Sequence, residues 1–591
     1  MVECDLVMKG GVTSGVVYPH AIVEVARKYR LRNIGGTSAG AIAAVIAAAA
    51  EYRRQSSAAG SDFAGFDATA KIADELGTDM LGLFQPSPDL TKLFSIAMSA
   101  MGASKKGRVW NVLCTMLCAY PWHVVLALGV GLVLVILGVR QGSPALVVLG
   151  ALVAIALVIA ALAFALGMAI LVALPRHDFG ICSGLTQPHL FKKKRVQQSA
   201  LTEWLADKID LVAGRDPKGD PLTVGQLEAF GINVAAVTTD LSSHRPFQLP
   251  LKSRHHYFSK AEFEKLFPLR IIAYLTRDAV PLADATPADL YPLPVGTAFP
   301  VVLVARMSLS FPGLIRAVPL YRFDDQLPGD AGDRAKVRRC LFSDGGISSN
   351  FPIHFFDAFL PSRPTFGIML VDWDEARHDK IRVFLPQKWR QSTDLPVMRI
   401  GSLGAFLGSV LRTAREWQDT LQSLLPGYAE RIVEVRLDPS REGGLNLSMD
   451  RKTIATLTEY GRQAGTTLTT QFDFDEHRWR RALSLLPELE DSMRAFANSH
   501  SSRPAGSAVG TRTYAEVLTG HDAISYKNSQ KWRDEVLAPF ATAVAKIGTD
   551  AQAQLDADKE TTVASGTVPA VDSHLRLVAD TDRAPRRPAE S

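Results

Sequence analysis

Two long apolar runs, separated by five residues, most constrain how this chain can fold. Trp122–Val139 is apolar apart from His123 at its edge, and Ala145–Leu174 contains no charged residue. As helices they would span roughly 27 Å and 45 Å, against a hydrocarbon core of about 30 Å. The intervening Arg140–Pro144 contains Gly and Pro, which favour a turn. The sequence therefore predicts a transmembrane helical hairpin over residues 111–177.

Basic residues are concentrated outside the hairpin. Its turn holds one of them, Arg140. The flanking segments hold Lys105, Lys106 and Arg108 on one side, and Arg176 and Lys192–Arg195 on the other. Loops rich in Lys and Arg stay in the cytoplasm, so both ends of this multi-pass hairpin, and the catalytic domain, are predicted to be cytoplasmic. The alternative, a pair of buried helices inside a soluble domain, stays open, although such long apolar runs are rare there.

The amino-acid composition indicates which kinds of binding partner and metal site to expect. The 591 residues are 47% hydrophobic and 21% charged, enough for a large core. The 65 basic and 60 acidic residues give a net charge of +5, whereas a nucleic-acid binder usually concentrates a strong basic excess, so no nucleic-acid partner is expected. The five cysteines are scattered, which indicates free thiols in a reducing compartment and no structural metal site.

The sequence on either side of the hairpin predicts an α/β fold. Val2–Met8 alternates and contains two acidic residues, so it is predicted to be a strand and not a secretory signal. Leu31–Gly35 is a second strand, and Gly15–Arg30 is helical between them. Further strands are predicted at Ile232–Val237, Val301–Ala305, Arg339–Phe342 and Thr365–Val371, with helices such as Ala200–Val212 between some of them. Strands alternating with helices indicate layered α/β architecture.

The pattern beyond Trp373 is mostly helical. Helices are predicted at Val397–Leu424, Arg451–Leu468, His477–Ala497 and Thr513–Ala545. The stretch after Thr549 has few aromatic residues and is predicted to be disordered. The predicted divisions are a catalytic domain in two parts (1–110 and 178–373), a helical C-terminal region (374–548) and a disordered tail (549–591).

Ser38 lies in a G-x-S-x-G segment, Gly36–Gly40. A predicted strand precedes it and an Ala-rich helical run, Ala39–Tyr52, follows, as in the elbow that presents a catalytic nucleophile. Gly36 and Gly40 fit because so sharp a turn leaves no room for side chains beside the serine. The N–H groups that begin the helix favour developing negative charge at Ser38. A plain Gly/Ser turn is the alternative.

Two further Gly-rich segments follow predicted strands. The N–H groups of Gly10 and Gly11, directly after the first strand, can form an oxyanion hole. The G-x-x-x-x-G-K-[ST] pattern of a phosphate-binding loop is absent there. Asp344, followed by Gly345 and Gly346, ends a predicted strand and can face a cleft at the carboxyl edge of a sheet. Standing alone, Asp344 would be a turn residue.

The histidines favour a Ser–Asp dyad over a triad. An α/β-hydrolase has several strands before its elbow and a catalytic histidine after its acid. Here only one strand–helix unit precedes Ser38. Six histidines follow Asp344, and most of them lie on segments predicted to be helix or tail: His354, His378, His477, His500, His521 and His574. A dyad in which Asp344 takes the Ser38 proton therefore fits better. An α/β-hydrolase that uses one of these histidines stays an alternative.

Together these segments, in this order, resemble the patatin-like phospholipase family, with the bacterial-type domain interrupted by an inserted transmembrane hairpin. Ala305–Gly313 and Val237–Leu241 resemble two further stretches of that family. The resemblance implies a three-layer sheet-and-helix domain, with Ser38 as nucleophile and Asp344 as its partner. It also implies phospholipase A or lysophospholipase-type hydrolysis of a membrane lipid, without cofactor or metal.

One segment departs from the family pattern. Where the family has G-G-G-x-[RK]-G, this chain has Val12 at the third glycine and Ser14 at the basic position. The resemblance therefore implies an oxyanion hole of Gly10, Gly11 and Val12. The altered segment also motivates an alternative from another class, a membrane scaffold or regulatory protein with impaired catalysis. The sequence does not give the oligomeric state.

Overall fold

A computed structural model describes the chain apart from sixteen segments: residues 12–13, 58–61, 102–104, 189–197, 284–286, 325–336, 388–396, 398, 424–426, 440, 444–445, 448, 504–510, 523–526, 558–561 and 567–591. The predicted Lys192–Arg195 cluster and most of the predicted tail lie outside the described residues.

The strands combine a parallel and an antiparallel set. They are β1 (Val2–Met8), β2 (Tyr29–Gly36), β3 (Gly180–Cys182), β4 (Asn233–Asp240), β5 (Arg245–Leu249), β6 (Tyr257–Ser259), β7 (Leu290–Pro292), β8 (Gly313–Ile315), β9 (Val318–Phe323), β10 (Val337–Asp344), β11 (Thr365–Asp372), β12 (Val383–Phe384) and β13 (Ile432–Leu437).

Within the described residues, eleven strands form one mixed sheet. Its order is β12-β13-β11-β1-β2-β4-β10-β9-β6-β7, and β5 also pairs with β4. The central β13, β11, β1, β2 and β4 are parallel, whereas β10 runs antiparallel to β4 and to β9. β3 and β8 form a separate parallel pair. The prediction of a mixed α/β fold is confirmed, while the three-layer arrangement and the domain divisions stay predictions.

The helices lie between the strands in the first part of the chain and form most of the C-terminal region. They are α1 (Tyr18–Lys28), α2 (Ala39–Ser56), α3 (Ala64–Asp79), α4 (Thr91–Met101), α5 (Lys105–Ala119), α6 (Pro121–Arg140), α7 (Pro144–Met168), α8 (Leu201–Val212), α9 (Val224–Glu228), α10 (Lys260–Phe263), α11 (Leu269–Thr276), α12 (Val301–Ser308), α13 (Glu375–His378), α14 (Leu403–Ser423), α15 (Arg451–Gln471), α16 (Phe474–Ser501), α17 (Tyr514–Gly520), α18 (Gln530–Trp532) and α19 (Ala538–Ala557).

One predicted strand is wrong. Val301–Ala305 belongs to α12, in which all eight residues are buried. A short continuous apolar run suits a buried helix as well as a buried strand, and periodicity cannot separate the two. Pro300 immediately precedes this helix, where a missing N–H costs nothing.

The C-terminal region takes part in the main sheet. β13 pairs with β11, so a strand was missed among the predicted helices. α15 packs on α1 so closely that a Cβ on Gly461 would lie 2.0 Å from the Val17 carbonyl oxygen. α19 continues to Ala557, so the first residues of the predicted disordered tail are helical. The region therefore stabilises the sheet that carries the motifs.

The predicted hairpin is a helical hairpin in the structure. Among the described residues, two helices are long and apolar enough to cross a membrane: α6, and α7 together with the helical residues that follow it up to Arg176. Where they pack together, a Cβ on Gly131 would lie 2.3 Å from that of Ala154. Small residues at such a contact allow two apolar helices to approach closely. Insertion into a membrane and the cytoplasmic placement of the ends stay predictions.

Candidate active site

Ser38 occupies a strained turn between β2 and α2. Its φ of 57° and ψ of −124° lie in a region that residues other than glycine rarely adopt. Such strain persists where surrounding packing enforces it, and it is found most often at functional sites. The serine side chain is also buried. The predicted elbow is thus present as backbone geometry, with Ser38 at its apex.

The motif glycines allow the elbow to pack against the end of β1. A Cβ on Gly36 would lie 2.3 Å from the carbonyl oxygen of Gly40. A Cβ on Gly40 would lie 2.2 Å from the carbonyl oxygen of Met8. Both distances are far below van der Waals contact. The atoms met belong to the backbone, which cannot rotate away as a flexible side chain can. The prediction that side chains at these two positions would clash is confirmed.

The sheet brings Asp344 to the same level as Ser38. Gly36 of β2 pairs with Ala236 of β4, and Asp344 of β10 pairs with Thr238 on the other side of β4. Ser38 and Asp344 therefore flank β4 near its carboxyl end. The strand that leads to Asp344, β10, runs antiparallel to β4, whereas β2, which leads to Ser38, runs parallel to it. The sequence pattern did not indicate this difference in direction.

The carboxyl group of Asp344 is buried, and only one of its two oxygens accepts a hydrogen bond. Its Oδ1 accepts a hydrogen bond of 2.8 Å from the Gly346 N–H, while Oδ2 has no hydrogen-bond partner among the described residues. Burial raises the pKa of this carboxyl to about 6, although the Ser38 hydroxyl, the Gly346 N–H and the Arg415 charge each act to lower it.

The Ser38 hydroxyl is thus close enough to act on the Asp344 carboxyl without making a hydrogen bond of standard geometry to Oδ2. Catalytic hydrogen bonds are often long or poorly aligned until substrate is bound. A carboxyl with a pKa near 6 is mostly ionised at neutral pH and is a stronger base than an ordinary aspartate. The pair has the parts that a nucleophile and its base require.

The two supporting sequence stretches hold the pair in place. The Ser308 hydroxyl accepts a hydrogen bond of 3.0 Å from the Ser38 N–H. The Ser310 carbonyl oxygen accepts one of 3.1 Å from the Asp344 N–H, and the Thr239 hydroxyl donates one of 3.0 Å to the Asp344 carbonyl oxygen. Sequence reasoning identified the stretches by resemblance but missed the roles of Ser308, Ser310 and Thr239.

The oxyanion prediction needs a correction at Gly10. Gly10 lies against the nucleophile, since a Cβ there would be 3.3 Å from that of Ser38. Its N–H, however, donates a hydrogen bond of 2.9 Å to the Asn350 carbonyl oxygen, which occupies it. The Asn350 Oδ1 also lies 2.2 Å from where a Gly10 Cβ would be. Asn350, which sequence reasoning missed, therefore shapes the segment that was predicted to bind the oxyanion.

In the described part of the chain, no backbone acceptor is found for the N–H groups of Gly11 and Ala39, and the oxyanion role of Gly11 stays a prediction. Val12, the third predicted donor, lies outside the described residues. Gly345 belongs to the turn after Asp344, where a Cβ would lie 2.0 Å from the Val237 carbonyl oxygen.

Neither Ser38 nor Asp344 interacts with a histidine among the residues described. Of the six candidate histidines, His477 and His500 are buried in α16, far along the chain from the elbow. His574 lies outside the described residues. In the same described ranges, no group of three or more His, Cys, Asp or Glu side chains is arranged to hold a metal ion.

An apolar cavity begins beside the elbow. It has about 660 Å³ of space free of atoms, partly open to solvent. One face of α2 lines it with Ala39, Ile42, Ala43 and Ile46, which extend roughly 10 Å along that helix. α1, α3 and α8 supply most of the remaining wall, which is apolar or aromatic except for Thr69. The Thr69 hydroxyl is already bonded to a carbonyl oxygen in its own helix.

Comparison with known proteins gives one extensive relative. The chain is 34% identical over 566 residues to the "RpoH suppressor" of Rhizobium meliloti (strain 1021), which covers 85% of this chain and 88% of that protein. The crystal structure of VipD from Legionella pneumophila aligns over 94% of this chain and 86% of its own, with 12% identity and a TM-score of 0.28. No protein-family model matches. By its extensive similarity over nearly the whole length of both proteins, the chain belongs to the family of the Rhizobium meliloti RpoH suppressor.

Proposed function

We propose that this chain is a membrane-anchored serine hydrolase that cleaves acyl esters of lipids, with Ser38 as nucleophile and Asp344 as base. The observation that carries the proposal is the strained Ser38 elbow beside a buried carboxyl that has one unpartnered oxygen. The order of the three motifs, which resembles patatin-like phospholipases, supports the same chemistry. The name RpoH suppressor specifies no reaction, so the proposal rests on the site.

In the proposed reaction the Ser38 hydroxyl attacks the ester carbonyl and its proton passes to Asp344 Oδ2. The N–H groups of Gly11 and Ala39 stabilise the oxyanion, and the residue after a nucleophile commonly provides such a donor. Collapse of the intermediate expels the alcohol, which takes the proton from Asp344. Water then attacks the acyl-enzyme and gives a proton to Asp344, which returns it to Ser38 as the fatty acid leaves.

The apolar cavity favours a lipid acyl chain over a small polar ester. Ala39, which lines the cavity, directly follows the nucleophile, so an acyl group bound to Ser38 would extend along α2. The two apolar helices would hold the domain at a bilayer, with both ends on the cytoplasmic side, where such esters are concentrated. We therefore propose a phospholipid or lysophospholipid as substrate, from the cavity and from the family resemblance.

Labelling with a fluorophosphonate tests the nucleophile. The full-length protein in detergent should be labelled, because an activated serine attacks the phosphorus, and Ser38→Ala should remove the label. Ser143→Ala, in the hairpin turn, is the matched control and should be labelled like the wild type. A folded wild-type protein that takes up no label would favour the alternative of a membrane scaffold with impaired catalysis.

Enlarging a cavity side chain tests the acyl site. Ala43→Phe should lower hydrolysis of a palmitoyl ester about 10-fold to 100-fold, while hydrolysis of a butyryl ester changes little, because hydrophobic pockets discriminate by that order. Rates with the two esters should be compared in one preparation. Thr69→Val, which keeps the volume of another lining residue, should leave the ratio near that of the wild type. Equal loss on both esters would place the acyl chain elsewhere.

A further inference from the structure

Helix α14 exposes apolar side chains that a soluble helix would normally bury. Leu403, Phe406, Leu407 and Val410 are 74%, 51%, 54% and 51% exposed. Their spacing of three, four and seven residues places them on one face of the helix. In a soluble protein an apolar face of this kind packs against the core. Here it faces outward.

The second half of α14 interacts with the domain through charged side chains, whereas residues 403–408 are exposed on every side. At about 100° per residue, Arg412, Arg415 and Glu416 fall on the half of the helix away from the apolar face. Arg412 forms an ion pair of 3.3 Å with Asp372. Arg415 interacts electrostatically with Asp344. The helix is therefore held to the domain by charged residues of its second half, while the apolar side chains of its first half are left exposed.

These contacts place α14 beside the active site. Asp372 ends β11, and Lys9, which interacts electrostatically with Glu416, directly follows β1. The carboxyl ends of parallel strands β11, β1 and β2 lie at the same edge of the sheet, which is where Ser38 lies. The exposed apolar face thus lies at the end of the domain that contains the elbow.

We propose that the face formed by Leu403, Phe406, Leu407 and Val410, the α14 docking face, inserts into the surface of a lipid bilayer and holds the Ser38 site against it. The chain offers such a surface, because two of its helices are long and apolar enough to cross a membrane. Arg399, exposed just before α14, adds a positive charge that suits anionic head groups. The proposal rests on the membrane anchoring proposed above, but not on catalysis.

A fluorescent probe tests the contact without requiring activity. An environment-sensitive dye would be attached to Phe406→Cys after Cys114 and Cys118, the two cysteines that are not buried, are changed to Ser. The labelled full-length protein would be reconstituted into vesicles of phosphatidylcholine and phosphatidylglycerol. We expect a blue shift relative to detergent, and quenching by lipids brominated on their acyl chains. Ala405→Cys, exposed on the opposite face, is the matched control and should show neither change.

Activity separates this proposal from the proposed function. Changing all four residues of the docking face to Ser should lower hydrolysis of vesicle phospholipid about tenfold or more, since four apolar side chains would no longer be buried. Hydrolysis of a water-soluble butyryl ester should be unchanged, which also shows that the variant folds. A wild type inactive on both substrates would contradict the proposed function, while the probe would still report on docking.

Two outcomes would overturn the docking proposal. One is a Phe406→Cys probe that lipid bromines do not quench. The other is a blue shift that survives in detergent and depends on protein concentration, which would assign the face to a second copy of the chain. Quenching at Phe406→Cys with none at Ala405→Cys supports insertion of the apolar face.

Discussion

Ser38→Ala and Asp344→Asn should each lower ester hydrolysis by roughly 10⁴-fold or more, and the double variant should be little worse than either single one. Ser38 forms the covalent bond and Asp344 accepts its proton, so neither contributes much once the other is lost. Asn keeps the shape of Asp344 and its acceptor for the Gly346 N–H, but it cannot take a proton. The rates of all four proteins on a soluble butyryl ester would measure the coupling.

Histidine variants are the control for this experiment. His354, His378, His477, His500, His521 and His574 changed singly to Gln should keep most of the activity. If one of them were as damaging as Ser38→Ala in a folded protein, the reaction would use a triad. Additive losses in the double variant would show that Ser38 and Asp344 act independently, and would contradict the dyad.

The elbow could be predicted from the sequence because its determinants are local. Strand, sharp turn and helix follow one another within a few residues, and Gly36 is required by a backbone atom of the same turn, although Gly40 is required by the end of β1. The mixed α/β fold was predictable for a similar reason, since period and punctuation mark β1, β2, β4, β10 and β11, although the other eight of the thirteen described strands were not predicted. The helix α12 was wrongly predicted to be a strand, because an apolar run that is buried on all sides has no periodic pattern.

Contacts between distant segments could not be predicted. The Gly10 N–H pairs with Asn350, 340 positions later, and nothing near Gly10 in the sequence indicates this hydrogen bond. The antiparallel direction of β10 depends on the pairing of β10 with β4 and β9, which no single strand reveals. In the same way β13 was missed because it lies between helices, although it completes the parallel part of the sheet.

The orientation of α14 shows where a general rule fails. Its apolar positions recur with the period of a helix, and the usual rule would turn that face toward the core. Instead, Arg412, Arg415 and Glu416 in the second half of the helix interact with groups at the carboxyl edge of the sheet, and residues 403–408 stay exposed. The bilayer insertion proposed above would give this exposed apolar face a role that burial in a core would exclude.

Asp344→Asn should also stabilise the folded protein near neutral pH, by about 3 kcal/mol, although it removes activity. Burial raises the pKa of Asp344 from 3.8 to about 6. The folded state therefore binds this proton more tightly than the unfolded state does, and stability falls as pH rises between the two values. Each unit of pKa corresponds to about 1.4 kcal/mol, which gives the size of the cost. Asn carries no charge and avoids that cost.

The stability that Asp344→Asn gains over the wild type should increase as pH rises. Below about pH 4 the carboxyl is protonated in both states, so the wild type and Asp344→Asn should melt at nearly the same temperature. Above about pH 6 the wild type bears the full cost of a buried charge, and the variant should melt several degrees higher. Thermal unfolding in detergent across this range would measure the difference, with exposed Asp522→Asn as the matched control. A variant that melts no higher than the wild type near pH 8 would mean that Asp344 is ionised without cost. Asp344 would then be no stronger a base than an ordinary aspartate, and its burial would not contribute to the proposed mechanism.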